Sequence, residues 1–374
     1  MDNPFLALAA PGISGLHPYV PGKPIEELER ELGLSHTIKL ASNENPLGPS
    51  PMGAGAASGV IDGVNLYPDD AGFRLRNALS KRFGVAPEAI TLGSGSSDVI
   101  DMVARAFLAP GRNAVFARHS FAMYPIYTQA QGAGSRVAAP FPPDHARMPY
   151  GHDPSTLLDA VNAETRVLFI ANPNNPTGTW MTRDELTGLL DRLPSHVVVV
   201  LDEAYIEYVE EPAFPNGLDL LPHYPNLIVT RTFSKIYGLA GLRIGYGISA
   251  PDLAAVINRV RHPFNVNSAA LAAAEAALND TAHLTRSREV NRAGLRQLSE
   301  GLASMGLRCI PSMANFITVD IGRSGSDVFE SLLRKGVIVR PVANYDMPHH
   351  LRVTVGREAE NRRFLEALAE VLER

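Results

Sequence analysis

Between about residues 75 and 250, helix-like stretches alternate with short β-branched and aliphatic runs, and this alternation constrains the fold more than any other feature of the chain. Each parallel crossover needs a helix to carry the chain back, so the pattern predicts a largely parallel sheet with helices on both faces. Predicted strands cover residues 114–117, 167–171, 197–201, 227–231 and 242–248. Thr182 and Glu185 have capping-box spacing and open a predicted helix through Leu193, stopped by Pro194. A length of 374 residues exceeds one small core and suits a large domain with a smaller one. The expected division is an N-terminal arm, residues 1–45, joining the smaller domain; a large domain, 46–265; and a small C-terminal α+β domain, 266–374. Its boundary falls near His262-Pro263-Phe264, ahead of the alanine-rich helical stretch 268–278. The tail reads as strands 317–321, 337–340 and 351–355, with a helix over 327–335. The proline-rich segment around His17 to Gly22 is expected to drape over another part of the molecule.

Several function classes are disfavoured. With 20% charged residues and a net charge of −5 there is no basic excess to hold nucleic acid, which points to small-molecule partners. No run approaches membrane-spanning length. The apolar residues Phe5 to Ala10 lack a basic leader and run into Pro11 and Gly12, against a signal peptide. The one cysteine, Cys309, reads as a small core residue, which fits a reducing cytoplasm.

In open parallel sheets the ligand sits beyond the carboxyl ends of the strands. Three strand ends carry polar clusters: Asn172-Pro173-Asn174-Asn175-Pro176-Thr177-Gly178, Asp202-Glu203-Ala204-Tyr205 and Thr232-Phe233-Ser234-Lys235. They lie about thirty residues apart, roughly one strand-helix-strand unit, so they can converge on one pocket. Each has a plainer reading alone: Lys235 as a solvated surface group, Asn-Pro-Thr-Gly as a turn, Asp202 as a strand-end residue capping amides. Together they supply a lysine amine, an acid to face a ring nitrogen, and hydroxyls for a phosphate, the parts that pyridoxal phosphate chemistry requires. A fourth element, Thr91 to Asp98, follows a short strand and opens a helical run, so its amides can meet an anion. Its plainer reading is an N-capping serine. A dinucleotide reading is weakened by Asp98 at the third glycine position.

Asp202-Glu203-Ala204-Tyr205-Ile206-Glu207, Arg231-Thr232-Phe233-Ser234-Lys235 and Gly241-Leu242-Arg243-Ile244-Gly245 resemble the histidinol-phosphate aminotransferases. The resemblance spans nearly the whole chain, from residues 18–24 and 42–48 to 351–356. It implies an aspartate-aminotransferase-like fold of type I, with pyridoxal 5'-phosphate held by Lys235 as a Schiff base and Asp202 facing the pyridine nitrogen. It further implies Tyr205 and Asn175 on the cofactor's ring oxygen, and Ser96, Ser97, Thr232, Ser234 and Arg243 on its phosphate. Phe121 would stack on the ring; its plainer reading is a core aromatic of an apolar helix. Tyr67 matches a tyrosine reaching the neighbouring subunit's cofactor, which implies a homodimer with shared active sites. Arg352 matches the arginine that takes the substrate's anionic group, assisted by Arg340, Tyr19 and Asn175. No metal is implied. The reaction implied is histidinol phosphate with 2-oxoglutarate giving imidazole acetol phosphate and glutamate, in histidine biosynthesis. Aromatic amino acid transamination and decarboxylation of an amino-acid phosphate share the cofactor motifs and stay open. A regulatory cofactor-binding module is disfavoured, because no basic DNA-binding domain is attached. The chain departs from the family's usual pattern at Ser97, where asparagine or aspartate is common, and at Asn344 and Asp346, where glycines are frequent.

Overall fold

Runs of aliphatic residues buried on both faces need a helical layer on each side, and the computed structural model, which describes residues 3–373, supplies both. Its first eight strands are β1 (Ile38–Lys39), β2 (Ile90–Gly93), β3 (Asn113–Ala117), β4 (Gly134–Ala138), β5 (Thr165–Ala171), β6 (Val198–Asp202), β7 (Leu227–Thr232) and β8 (Gly245–Ser249). Seven of these form one sheet, ordered β2-β8-β7-β6-β5-β3-β4 and parallel except for β8, which runs antiparallel to both its neighbours. Side chains alternate between faces, as a two-residue period requires. Val167, Phe169, Val200 and Ile228 pack with Val99 and Val103 of the helix Ser96–Phe107. Leu168, Ile170, Val199 and Val229 pack on the other face with Leu186 and Leu189 of the helix Arg183–Leu190.

The capping box at that helix forms as predicted: Thr182 Oγ1 accepts from the Glu185 amide at 3.3 Å, and Glu185 Oε2 accepts from the Thr182 amide at 2.7 Å. The helix ends at Leu190, short of Leu193, because the amides of Arg192 and Leu193 bond three residues back and tighten the chain before Pro194. The strand expected over 242–248 starts later, at Gly245. Residues Ala240–Leu242 form a 3₁₀ turn and Arg243 takes a left-handed φ of 59°, which turns the chain toward the loop before Ser96. Strand β4 carries no hydrophobic signal because four of its five residues are exposed.

The remaining strands are β9 (Arg308–Ile310), β10 (Phe316–Asp320), β11 (Val337–Ile338), β12 (Arg340–Pro341) and β13 (His350–Thr354). Four of them make an antiparallel sheet in the order β12-β13-β10-β9, and β11 pairs in parallel with β1. The single strand expected over 337–340 is thus divided between two partners. Through β1 the N-terminal segment joins the C-terminal body, and the Thr354 amide donates to Leu40 O at 2.8 Å. The helix Ser268–Ala277, expected with the C-terminal domain, instead buries Ala270, Ala273, Ala274 and Ala277 against Leu79, Phe233 and Tyr246 of the large-sheet core. The next helix, Thr281–Ser304, starts in that core at Leu284 and ends in the small-sheet core at Leu298 and Leu302. We therefore propose the division between the two bodies inside this helix.

One buried ion pair locks the site-bearing strand ends together. Arg231 of β7 donates through Nε and Nη2 to Glu203 Oε2 at 2.9 and 2.7 Å, and Gly217 N donates to Oε1 at 2.7 Å. Glu203 has no exposed side-chain surface and Arg231 has 7%. Removing one partner leaves an uncompensated buried charge, so Glu203→Ala should destabilise the fold by about 3 to 5 kcal/mol. Urea unfolding checks this: Glu203→Leu combined with Arg231→Met should cost less than Glu203→Ala alone, and a single variant as stable as wild type would contradict the role given to the pair.

Candidate active site

Strands β5, β6 and β7 end level with one another, with Ala171 opposite Asp202 and Asp202 opposite Thr230. Their polar endings therefore open into one cavity of about 380 Å³, which Arg352 of β13 also lines. Of the residues singled out in the sequence, Tyr19, Ser96, Ser97, Phe121, Asn175, Asp202, Tyr205, Thr232, Ser234, Lys235, Arg243 and Arg352 line it.

Lys235 follows β7, and its Nζ donates to Ser42 O at 3.2 Å. Burial, and then the positive charge of Arg352, draws its ammonium down to about 8. Asp202 closes β6. Its Oδ2 accepts from the Tyr124 hydroxyl at 3.0 Å and its Oδ1 from Thr230 Oγ1 at 3.2 Å. Burial still pushes this carboxyl up to about 6, so it would gain from a cationic partner such as a protonated ring nitrogen. Tyr205, also buried, has its hydroxyl bonded by Asn43 Nδ2 at 2.8 Å.

A cradle for an anion lies at one end. The helix Ser96–Phe107 begins after Gly95, which has no side chain to cap it, and Asp98 Oδ2 accepts from the Ser94 amide at 2.8 Å. The serine-cap reading of this loop therefore fails, and Ser96 and Ser97, the first two residues of the helix, line the cavity. A Cβ on Gly245 would lie 2.2 Å from Ser96 N, and one on Gly95 would lie 2.5 Å from Arg243 Nη2. Only glycines let these strands and the guanidinium close on one point. The Thr232 and Ser234 hydroxyls, 3.0 Å apart, complete the donor set. Amides at a helix N-terminus, hydroxyls and an arginine fit a phosphate. Phe121 lies in the turn before the helix Met123–Ala130, lines the cavity and meets Tyr124 edge-on at 5.7 Å, so its plainer reading as an aromatic within the helix fails.

At the other end, Arg352 projects from β13. It donates to Asn175 Oδ1 and to Ala41 O, both at 2.6 Å, and its guanidinium lies 5.3 Å from the Phe316 ring centroid. Its Nε has no partner, and among the described residues no carboxylate forms an ion pair with it. A buried cation held only by neutral groups suits an anionic ligand. Arg340, its register partner on β12, does not reach this cavity. It donates to Val20 O at 2.7 Å, covers the Tyr19 ring at 5.6 Å, and lines a neighbouring cavity of about 490 Å³ together with Asn344. Tyr19 lines both cavities. Tyr67 stands away from the cavity, 82% exposed and stacked on Phe264 at 4.6 Å.

Sequence reasoning assigned no role to Ser42, Asn43, Tyr124 or Thr230. For Ser42 and Asn43 a signal existed in the Ser42 to Gly48 string; for Tyr124 and Thr230 there was none, since a core aromatic and a strand threonine look ordinary. Among the described residues no cluster of histidine, cysteine or carboxylate side chains could hold a metal, and no helix is long and apolar enough to cross a membrane.

The family profile for class I and II aminotransferases matches residues 35–368. A histidinol-phosphate aminotransferase 2 of Pseudomonas fluorescens is 57% identical over all of this chain and all of its own. Among solved structures, the histidinol-phosphate aminotransferase of Sinorhizobium meliloti in complex with pyridoxal-5'-phosphate superposes with a TM-score of 0.88 at 29% identity, covering 97% of each chain. A Thermus thermophilus aspartate aminotransferase mutant gives a TM-score of 0.80 at 25% identity over 93% of this chain and 94% of its own. The architecture is thus the aspartate-aminotransferase-like fold of type I.

The lysine's lowered range gives a direct expectation. An amine attacks a carbonyl only when unprotonated, and a group with its midpoint at about 8 is roughly one-tenth free at pH 7 and nine-tenths free at pH 9. Condensation of the cofactor-free protein with pyridoxal 5'-phosphate, followed by stopped-flow absorbance, should therefore accelerate about tenfold from pH 7 to pH 9 and then level off. An acceleration that continues beyond pH 10 would mean that Lys235 titrates as an ordinary lysine.

Proposed function

Because the chain belongs to the class I and II aminotransferases and, within them, to the histidinol-phosphate aminotransferases, we propose that it exchanges an amino group between histidinol phosphate and 2-oxoglutarate, with pyridoxal 5'-phosphate as cofactor. The products are imidazole acetol phosphate and glutamate, and the step belongs to histidine biosynthesis. The observation that carries this reading is the meeting, in one cavity, of Lys235, Asp202 and an arginine, Arg352, that no carboxylate neutralises.

When bound, the cofactor supplies an electron-accepting ring that weakens bonds at the substrate's amine-bearing carbon. We assign its phosphate to Ser96, Ser97, Thr232, Ser234 and Arg243, its ring oxygen to Tyr205 and Asn175, and one ring face to Phe121. Asp202 keeps a proton on the ring nitrogen, a task for a carboxylate that lacks a cation of its own. Lys235, whose Nζ lies in the cavity, would be the residue that anchors the cofactor covalently. Once free, Nζ, with its midpoint at about 8, would take the proton from the substrate's amine-bearing carbon and deliver it to the cofactor's carbon, since a base working near neutral pH needs a midpoint close to that pH. Arg352 orients the anionic group of either substrate, aimed by Asn175 and the Ala41 carbonyl. Arg340 and Tyr19 border the same end from the neighbouring cavity and are assigned to the bulkier phosphate ester.

The homodimer is part of this proposal. Ile61, Val64, Leu66, Tyr67 and Phe73 are all more than half exposed, an apolar surface that a second copy would cover. In such a dimer we assign Tyr67 to the cofactor phosphate of the neighbouring subunit. We place the protein in the cytoplasm, where the free thiol Cys309 stays reduced.

Single-turnover absorbance with histidinol phosphate as donor tests the reaction. Wild type should convert the cofactor to its aminated form and 2-oxoglutarate should restore it, whereas Lys235→Ala should lose turnover by at least about a thousandfold while remaining folded. No conversion with histidinol phosphate in the wild type would sink the substrate assignment. For the dimer, mixing inactive Tyr67→Ala with inactive Lys235→Ala should restore part of the activity, since a hybrid holds one site with both side chains intact. No recovery after verified subunit exchange would remove Tyr67 from a shared site.

A further inference from the structure

A tyrosine outside the cavity reaches the carboxylate on which the proposed chemistry turns. Tyr124 belongs to the helix Met123–Ala130, has no exposed surface and does not line the cavity. Its ring is clamped twice, stacked on Phe169 at 4.8 Å and 5° between planes, and edge-on to Phe121 at 5.7 Å and 88°. Those two contacts aim the hydroxyl at Asp202 Oδ2, 3.0 Å away. Packing alone would be met by phenylalanine; a buried hydroxyl is kept where it has a partner.

We infer that Tyr124 is a positioning residue that holds Asp202 in its charged form and so keeps the cofactor's ring nitrogen protonated. The inference rests on the functional reading above. A neutral carboxyl would offer a proton where one must be held on the ring, so the charge of Asp202 matters more than its place. Burial works against that charge, as does neighbouring Glu203. Three donors work for it: the Tyr124 hydroxyl, the Thr230 hydroxyl and the Ala204 amide. The other titratable groups that sense the charge of Asp202 are Tyr205, two residues after Glu203, and Lys235, three residues past the end of β7. Tyr124 alone comes from the helical layer, so it also ties Asp202 to the aromatic cover Phe121.

The test uses Tyr124→Phe, which keeps both ring contacts. In the cofactor-free protein, infrared difference spectra with Asp202→Asn as reference should show the carboxyl titrating at about 6 in wild type. In the variant the midpoint should rise by about 1 to 2 pH units, the worth of one hydrogen bond to a charged group. Thr230→Val, which removes the donor at the other oxygen, should move it in the same direction. In the loaded enzyme the acid limb of the kcat profile should move up with it, with kcat at neutral pH down about two- to tenfold and KM changed less than about twofold. An unmoved midpoint in Tyr124→Phe would overturn the inference and leave Tyr124 a packing residue. A midpoint that moves while kcat and its profile do not would overturn the link to the ring nitrogen. Failure of wild type to bind pyridoxal 5'-phosphate at all would instead sink the functional reading, a result the cofactor-free titration does not depend on.

Discussion

The parallel pairing of β5, β6 and β7, with Ala171, Asp202 and Thr230 in one row, is the constraint on which the rest depends. Hydrogen-bonded register fixes where each strand stops, and the residues just past those stops, Asn175, Tyr205 and Lys235, have no choice but to share a space. A slip of one residue would send Asp202 to the opposite face of the sheet. Two devices guard against that. The aliphatic residues of all three strands are buried on both faces, and the Arg231–Glu203 pair crosses from β7 to the segment after β6 where no water can replace it.

Against that rigid floor the site keeps its charges short of partners. Lys235 is bonded only to a carbonyl, Arg352 to a carbonyl and an amide oxygen, and Asp202 to hydroxyls and an amide. Each arrangement costs stability in the empty protein, because a desolvated charge is held by dipoles alone. Ligands that supply the missing counter-charges recover that cost, so binding and stability are coupled. The depressed lysine and the raised carboxyl are two expressions of the same burial.

The roof of the site is assembled from both ends of the chain. Ala41 and Ser42 offer carbonyls to Arg352 and Lys235, and Asn43 bonds Tyr205 while its own amide meets Thr354 Oγ1 at 2.9 Å. The short β1–β11 pairing anchors this segment beside β13. Further out, Arg340 holds the arm at Val20, stacks on Tyr19 and lines the second cavity, so one side chain links the arm to that cavity.

By itself the sequence determined the layered α/β architecture, the capping box at Thr182 and the strand ends where chemistry collects, because period, caps and turn residues act over a few neighbours. Most candidate side chains were legible for the same reason: they sit in short motifs that follow a strand. Only the tertiary structure decided that the helix Ser268–Ala277 belongs to the large core and that the run 337–340 serves two sheets. It also decided that Arg340 faces a second cavity while Arg352 faces the first, although the two are register partners. Tyr124 is the plainest instance. Its ring reads as core in any apolar helix, and its hydroxyl acquires meaning only from a carboxylate 78 residues away, a partner that chain folding supplies and local pattern cannot.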